Sequence, residues 1–166
     1  MLKPIIFYVV LVGSVLTVSG QDRQDYSRVK LEKTSDYKEA EGVVLQAATY
    51  VLTSAVNIDD TYRIKSLQFL VKWMEGTPDY TFQIDEPIAR IGADDMDILG
   101  VYMASMVKCS LETKDLLTNP KEIKIRSVKS LLDYCFNPHN AVKITPELKR
   151  LKEAERKGHL EKYVGM

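Results

Sequence analysis

Residues 94–112 read DDMDILGVYMASMVKCSLE, and the way this stretch distributes its apolar groups decides the fold. Asp94 and Asp95 stand where a helix would begin, the place at which negative charge meets the positive end of the backbone dipole. After Asp97 no charge occurs until Lys108. Ile98, Leu99, Tyr102, Met103, Met106 and Cys109 recur at three- and four-residue steps, which puts them along one helix face. Val101, Ala104 and Val107 make much of the other side apolar too. A helix greasy around most of its circumference has to be covered by neighbours on several sides. The sequence therefore predicts a central helix with other helices as its wrapping.

Downstream, Asn119-Pro120-Lys121-Glu122 is a helix start: asparagine caps, proline takes the first helical position, and glutamate completes the capping box. Ile125, Val128, Leu132 and Cys135 form the inward face, with Leu131 and Phe136 beside it, and Asn137-Pro138 ends the run. Thr145-Pro146-Glu147 opens a last helix whose apolar stripe, Leu148, Leu151 and Ala154, is narrow between many charges. That helix is expected to be mostly exposed. After Gly158, Leu160, Tyr163 and Val164 are placed to pin the tail to the body.

Upstream lies a second pair of helices. Asp36 with Glu39 three residues on marks the start of the first, and Tyr37, Ala40, Val44, Ala47, Val51 and Ala55 form its stripe. Asp60 caps the second, which covers residues 61–75 and has Lys65, Gln68, Lys72 and Glu75 on one face. Ile64, Leu67, Leu70, Val71 and Met74 lie on the other face, with Phe69 and Trp73 at its shoulder. Gly76-Thr77-Pro78 stops it. Residues 76–92, GTPDYTFQIDEPIARIG, read as an irregular packed loop with Tyr80, Phe82 and Ile88 turned inward. The expected fold is all-α: a compact bundle of about five helices, built from two antiparallel helical hairpins plus a C-terminal helix.

The first twenty residues carry an address. Lys3, an apolar run from Ile5 to Leu16 and Val18-Ser19-Gly20 are the three parts of a secretory signal, with cleavage expected after Gly20. The run is shorter than the roughly 20 apolar residues a membrane span needs, so no span is expected after cleavage. Residues 21–35 read as a flexible leader and 36–166 as a single helical domain. The product is expected to be exported, periplasmic or secreted.

Without Lys3 there are 22 basic and 23 acidic side chains, a balance that leaves no footprint for nucleic acid. The distribution is uneven. Residues 21–119 hold 11 basic and 17 acidic groups, and residues 120–166 hold 11 and 6, so the two parts carry −6 and +5. The simplest reading packs basic last helices beside acidic earlier ones. Head-to-tail self-association would use the same asymmetry.

In an exported chain Cys109 and Cys135 invite a disulfide. Antiparallel packing of their two helices, however, sets Cys109 opposite Ile123 and leaves Cys135 about 18 Å away at the helical rise. A disulfide tolerates a Cα separation of only about 4.4–6.8 Å, so free buried thiols are expected. Asp94, Asp95 and Asp97 lack the glycine turn and closing glutamate of a calcium loop, and read as caps. His139 and His159 have no partner at zinc-ligand spacing, and no HExxH, GxSxG or glycine-rich phosphate loop occurs. No metal, cofactor or catalytic constellation is therefore expected.

Two features remain as candidates. Asp85-Glu86 is the pair of loop carboxylates on which a small hydrolase would draw. Trp73, Tyr80 and Phe82 form a possible binding patch for a protein or peptide partner; the alternative is that they close one end of the core.

At WMEGTPDYTF (residues 73–82) and LGVYMASMVK (residues 99–108) the chain resembles exported helical proteins of Gram-negative bacteria that carry no assigned activity. That resemblance implies a periplasmic or secreted location and transfers no catalytic or binding residue. The paired helices are also similar to tetratricopeptide hairpins. Leu99-Gly100 matches one piece of that pattern, while its spacing and its later alanine and proline positions are not followed. The functional expectation is an exported non-enzymatic module, binding or structural, of the cell envelope. The alternatives are a tetratricopeptide-like peptide-binding scaffold and a small hydrolase.

Overall fold

The computed structural model describes residues 23–93, 95–113 and 119–165. The expected signal segment, residues 1–20, lies outside them, as does Asp94. Eight helices follow one another among the described residues: α1 (Thr34–Glu39), α2 (Glu41–Thr53), α3 (Thr61–Gly76), α4 (Glu86–Ile91), α5 (Met96–Glu112), α6 (Pro120–Cys135), α7 (Pro146–Arg156) and α8 (Leu160–Tyr163). Single 3₁₀ turns occur at Tyr26–Arg28 and Pro138–Asn140, and the described residues contain no strand. The five long helices, α2, α3, α5, α6 and α7, make the all-α bundle. No helix among the described residues is long and apolar enough to cross a membrane.

Most helix starts follow directly from short polar side chains. Asp60 accepts from the Tyr62 and Arg63 amides, Asp85 from Ile88, Asp95 from Asp97, Asn119 from Glu122 and Thr145 from Leu148. A cap of this kind contributes about 1 kcal/mol. Asp36 acts differently from the expected cap. It sits in the third position of α1 and reaches back to accept from the Glu32 and Lys33 amides.

The central position of α5 is borne out: it packs against α2, α3, α4 and α6. Its deepest side is the one with small residues, where Val101, Ala104 and Val107 are fully buried, while Leu99, Met103 and Cys109 are half-buried. On α2, Val44, Ala47, Ala48 and Val51 are likewise fully buried. Small side chains on both helices permit close approach of their axes. Gly100 serves the same purpose toward α3, since a Cβ there would stand 2.9 Å from Leu67 Cδ2.

The sequence misplaces the inward face of α3. Core-facing residues are Arg63, Ser66, Phe69, Leu70 and Trp73, whereas Ile64 is 41% exposed and Leu67, Val71 and Met74 are half-buried. Turning the helix this way buries Phe69 and Trp73, two of its three aromatic groups. The polar members of the stripe find partners. Arg63 Nη1 donates to the carbonyls of Val51 and Ser54 and to Ser54 Oγ, covering the negative end of α2. Its guanidinium also lies 5.6 Å from the Tyr134 ring centroid. Ser66 Oγ donates to the Tyr62 carbonyl and bonds the Tyr26 hydroxyl.

Two further differences from the sequence reading are local. Within the expected leader, Tyr26 stacks on Phe69 at 4.7 Å and Leu31 is 7% exposed, so this part of the chain is docked on α3. Inside the expected irregular loop the chain forms α4, begun by Asp85-Glu86-Pro87, the same cap-then-proline signal that opens α6 and α7. The last long helix is as expected: only its narrow stripe, Leu148, Leu151 and Ala154, is buried, and its other residues are half-buried or exposed.

Cys109 and Cys135 are both free. The charge of Arg126, near the start of α6, acts on Cys109 and that of Asp95, at the start of α5, acts on Cys135. The thiols thus lie toward opposite ends of the antiparallel α5–α6 pair. Burial pushes the Cys135 thiol up to about 12, which keeps it protonated and unreactive at neutral pH.

Candidate functional site

Of the three residues expected as a binding patch, Trp73 is sealed from water, Tyr80 is 8% exposed and Phe82 is half-buried. The Trp73 indole Nε1 donates to the Tyr37 carbonyl at 2.9 Å, which fixes the ring against α1. Tyr80 and Phe82 pack onto it with centroids 5.4 and 5.9 Å away, and their own rings lie 6.2 Å apart. The structure brings the three together in depth order. Trp73 is a wall of the core, and the two rings in front of it hold residues 77–85 across the bundle. The Tyr80 hydroxyl donates to Glu41 Oε1 at 3.1 Å. Burial and the Glu41 charge raise its pKa to about 12.

Behind this crossing segment a cavity of about 530 Å³ separates it from α5 and the first turn of α6. Its floor is one face of α5: Tyr102, Met106 and Ser110, spaced by four residues and therefore stacked along the helix. Tyr80 and Phe82 form one wall, and Pro120 and Ile123 form another. The size falls in the range of pockets that take small organic molecules, roughly 300–1,000 Å³.

Tyr102 is the unusual group. The residue is 1% exposed and lines the cavity, and its hydroxyl makes no hydrogen bond to any described residue. Burial, and secondarily the charge of Asp85, lift the Tyr102 phenol well above the ordinary tyrosine range. At neutral pH it is a protonated donor without an acceptor.

The mouth of the cavity carries both signs of charge. Lys124 Nζ donates to Asp85 Oδ2 and to the Val164 carbonyl, tying the crossing segment, α6 and the tail together. Asp85 also caps α4 through the Ile88 amide. Asp79 and Lys121 line the rim, both exposed. The neighbouring carboxylates Asp85 and Glu86 do not converge, since Glu86 pairs outward with Arg90 at 3.5 Å.

A second hollow lies on the outward side of α3. It is an open groove of about 700 Å³ between α3 and α5, lined by Ile64, Leu67, Val71, Met96, Gly100 and Met103. Charged and polar side chains, among them Lys72, Glu75 and Asp97, stand at its edges.

Sequence reasoning found Tyr80 and Phe82 but placed Tyr102 and Met106 only in a buried stripe and gave Ser110 and Lys124 no role. The four-residue spacing of Tyr102, Met106 and Ser110 was the available signal. Nothing local announces that a void faces them. Comparison with protein family models, with curated proteins and with solved structures finds no match for this chain.

Proposed function

We propose that this chain is an exported, non-catalytic binding module of the cell envelope, and that its site is the cavity beneath residues 77–85. The unmet Tyr102 hydroxyl carries this reading. The hydroxyl lines a cavity and has no described partner, so a ligand arriving there would supply one. The address comes from the signal-like residues 1–20, and the binding role from the walls of Tyr80, Phe82, Met106 and Ile123.

One observation favours a peptide-binding scaffold instead: the open apolar groove beside α3, with Ile64 41% and Met96 73% exposed. The two readings separate with a neutral fluorescent probe, N-phenylnaphthylamine, titrated into the wild type and two variants. Ile123→Trp fills the cavity from a half-buried wall position, and Ile64→Glu charges the groove. Probe binding lost in Ile123→Trp and kept in Ile64→Glu supports the cavity. The reverse pattern, or equal binding by all three proteins, rejects it.

A further inference from the structure

Resting on the cavity as the binding site, we infer that its ligand is an uncharged, largely apolar molecule bearing a hydrogen-bond acceptor, a carbonyl above all, that seats against Tyr102.

The lining sets the apolar body. Phe82, Met106 and Ile123 offer rings, a thioether and an aliphatic chain, and Met adapts its shape to irregular partners. The charges set the neutrality. Lys124 is engaged by Asp85 and the Val164 carbonyl, and Asp85 in turn by Lys124 and the Ile88 amide. The remaining pair at the rim, Asp79 and Lys121, is exposed and opposite in sign. The four charges around the cavity, Asp79, Asp85, Lys121 and Lys124, sum to zero, so the site favours neither sign of ion, and an ion entering it would lose hydration.

The acceptor follows from the floor. The Tyr102 phenol is a good donor on the cavity floor, and no described residue accepts from it. Ser110, two turns further along α5 and 3% exposed, has a hydroxyl that likewise makes no hydrogen bond to a described residue. A ligand carbonyl at Tyr102 gives the hydroxyl an acceptor, and a ligand without one does not. Discrimination of this kind, through a polar group the wrong ligand leaves unpaired, is stronger than discrimination by apolar fit.

Three probes test this on the full chain: prodan, a neutral naphthyl ketone; N-phenylnaphthylamine, neutral and without a carbonyl; and its sulfonated analogue, anilinonaphthalene sulfonate. Each is titrated by fluorescence into wild type, Tyr102→Phe and Ile123→Trp. Tyr102→Phe is expected to weaken prodan about fivefold, the loss of one neutral hydrogen bond, and to leave N-phenylnaphthylamine unchanged. The sulfonate should bind at least about tenfold more weakly than its neutral analogue. Prodan held equally by wild type and Tyr102→Phe, while still lost in Ile123→Trp, overturns the inference and leaves the site standing. Sulfonate binding as tight as that of the neutral analogue overturns the neutrality. Indifference of every probe to Ile123→Trp removes the site itself. The wild type supplies a readout that needs no variant: hydrogen-bonded prodan emits to the red of prodan in an aprotic site, and an aprotic spectrum counts against the Tyr102 contact.

Discussion

On α3 the inward side carries an arginine, a serine, a phenylalanine, a leucine and a tryptophan; the outward side carries isoleucine, leucine, valine and methionine. By hydrophobicity alone the outward side belongs in the core. The structure makes the opposite choice because Phe69 and Trp73 bury more surface, and because Arg63 and Ser66 each meet a polar group waiting at the neighbouring helix end or leader. Each side then governs one hollow. Trp73 backs Tyr80 and Phe82, which roof the cavity, while Ile64, Leu67 and Val71 form the groove. The groove is larger and more apolar, yet of the two only the cavity is lined by a nearly enclosed tyrosine whose hydroxyl has no described partner. Shape makes a hollow; an unmet hydrogen bond gives it something to recognise.

The largest expected effect is on the inward side. Trp73→Ala removes a fully buried ring and an indole hydrogen bond, and should cost about 3–5 kcal/mol in denaturant unfolding, against well under about 1 kcal/mol for Ile64→Ala. Equal losses at the two positions would break the comparison. Next, Arg63→Ala should cost roughly 3 kcal/mol, because the Val51 and Ser54 carbonyls lose their donor inside the protein. A variant as stable as the wild type would show that the guanidinium is tolerated and not used, a possibility kept open by its Nε and Nη2, which have no partner.

Smaller still, Ile64→Glu should change stability by no more than about 0.5 kcal/mol by thermal melting, since the side chain already meets water. A loss above about 2 kcal/mol would mean that the groove is part of the core. The smallest effect concerns the cap that sets the start of α3. Burial raises the Asp60 pKa, but the bonds from the Arg63 amide, the Tyr50 hydroxyl and the Tyr62 amide outweigh it, so the net shift is downward from 3.8. A depressed carboxylate contributes stability above the unfolded value that is lost as pH falls through the folded one. Acid unfolding below about pH 4 should therefore be shallower in Asp60→Asn than in the wild type. Parallel curves would remove Asp60 from the acid response.

The parts of this fold that were legible are those fixed by short-range chemistry. The all-round apolar stretch at Ile98–Val107 announces a covered helix, and Asp60, Asp95, Asn119 and Thr145 announce starts, because each acts within three residues of itself. The phase of α3 was not legible. Its two stripes are both apolar enough, and the choice depends on Ser54 and Tyr26, which approach only in the folded chain. Helix α4 was legible and missed, since Asp85-Glu86-Pro87 repeats a signal recognised at Asn119-Pro120. The candidate site divides in the same way. Tyr80 and Phe82 stood out as aromatics in a loop, while Tyr102 looked like any stripe residue. Its distinction is an absence of partners, which arises from where residues 77–85 cross the bundle.

The ammonium of Lys124 has a practical corollary. It joins two segments thirty-nine and forty residues away in the chain, one carrying Asp85 and the other Val164. Whatever is grafted beyond Gly165 will tug on the same knot that frames the cavity, whereas Arg23 rests on Tyr62 at the far end of the bundle. A purification handle placed at the tail is therefore expected to disturb the cavity wall more than one placed at the other end of the chain.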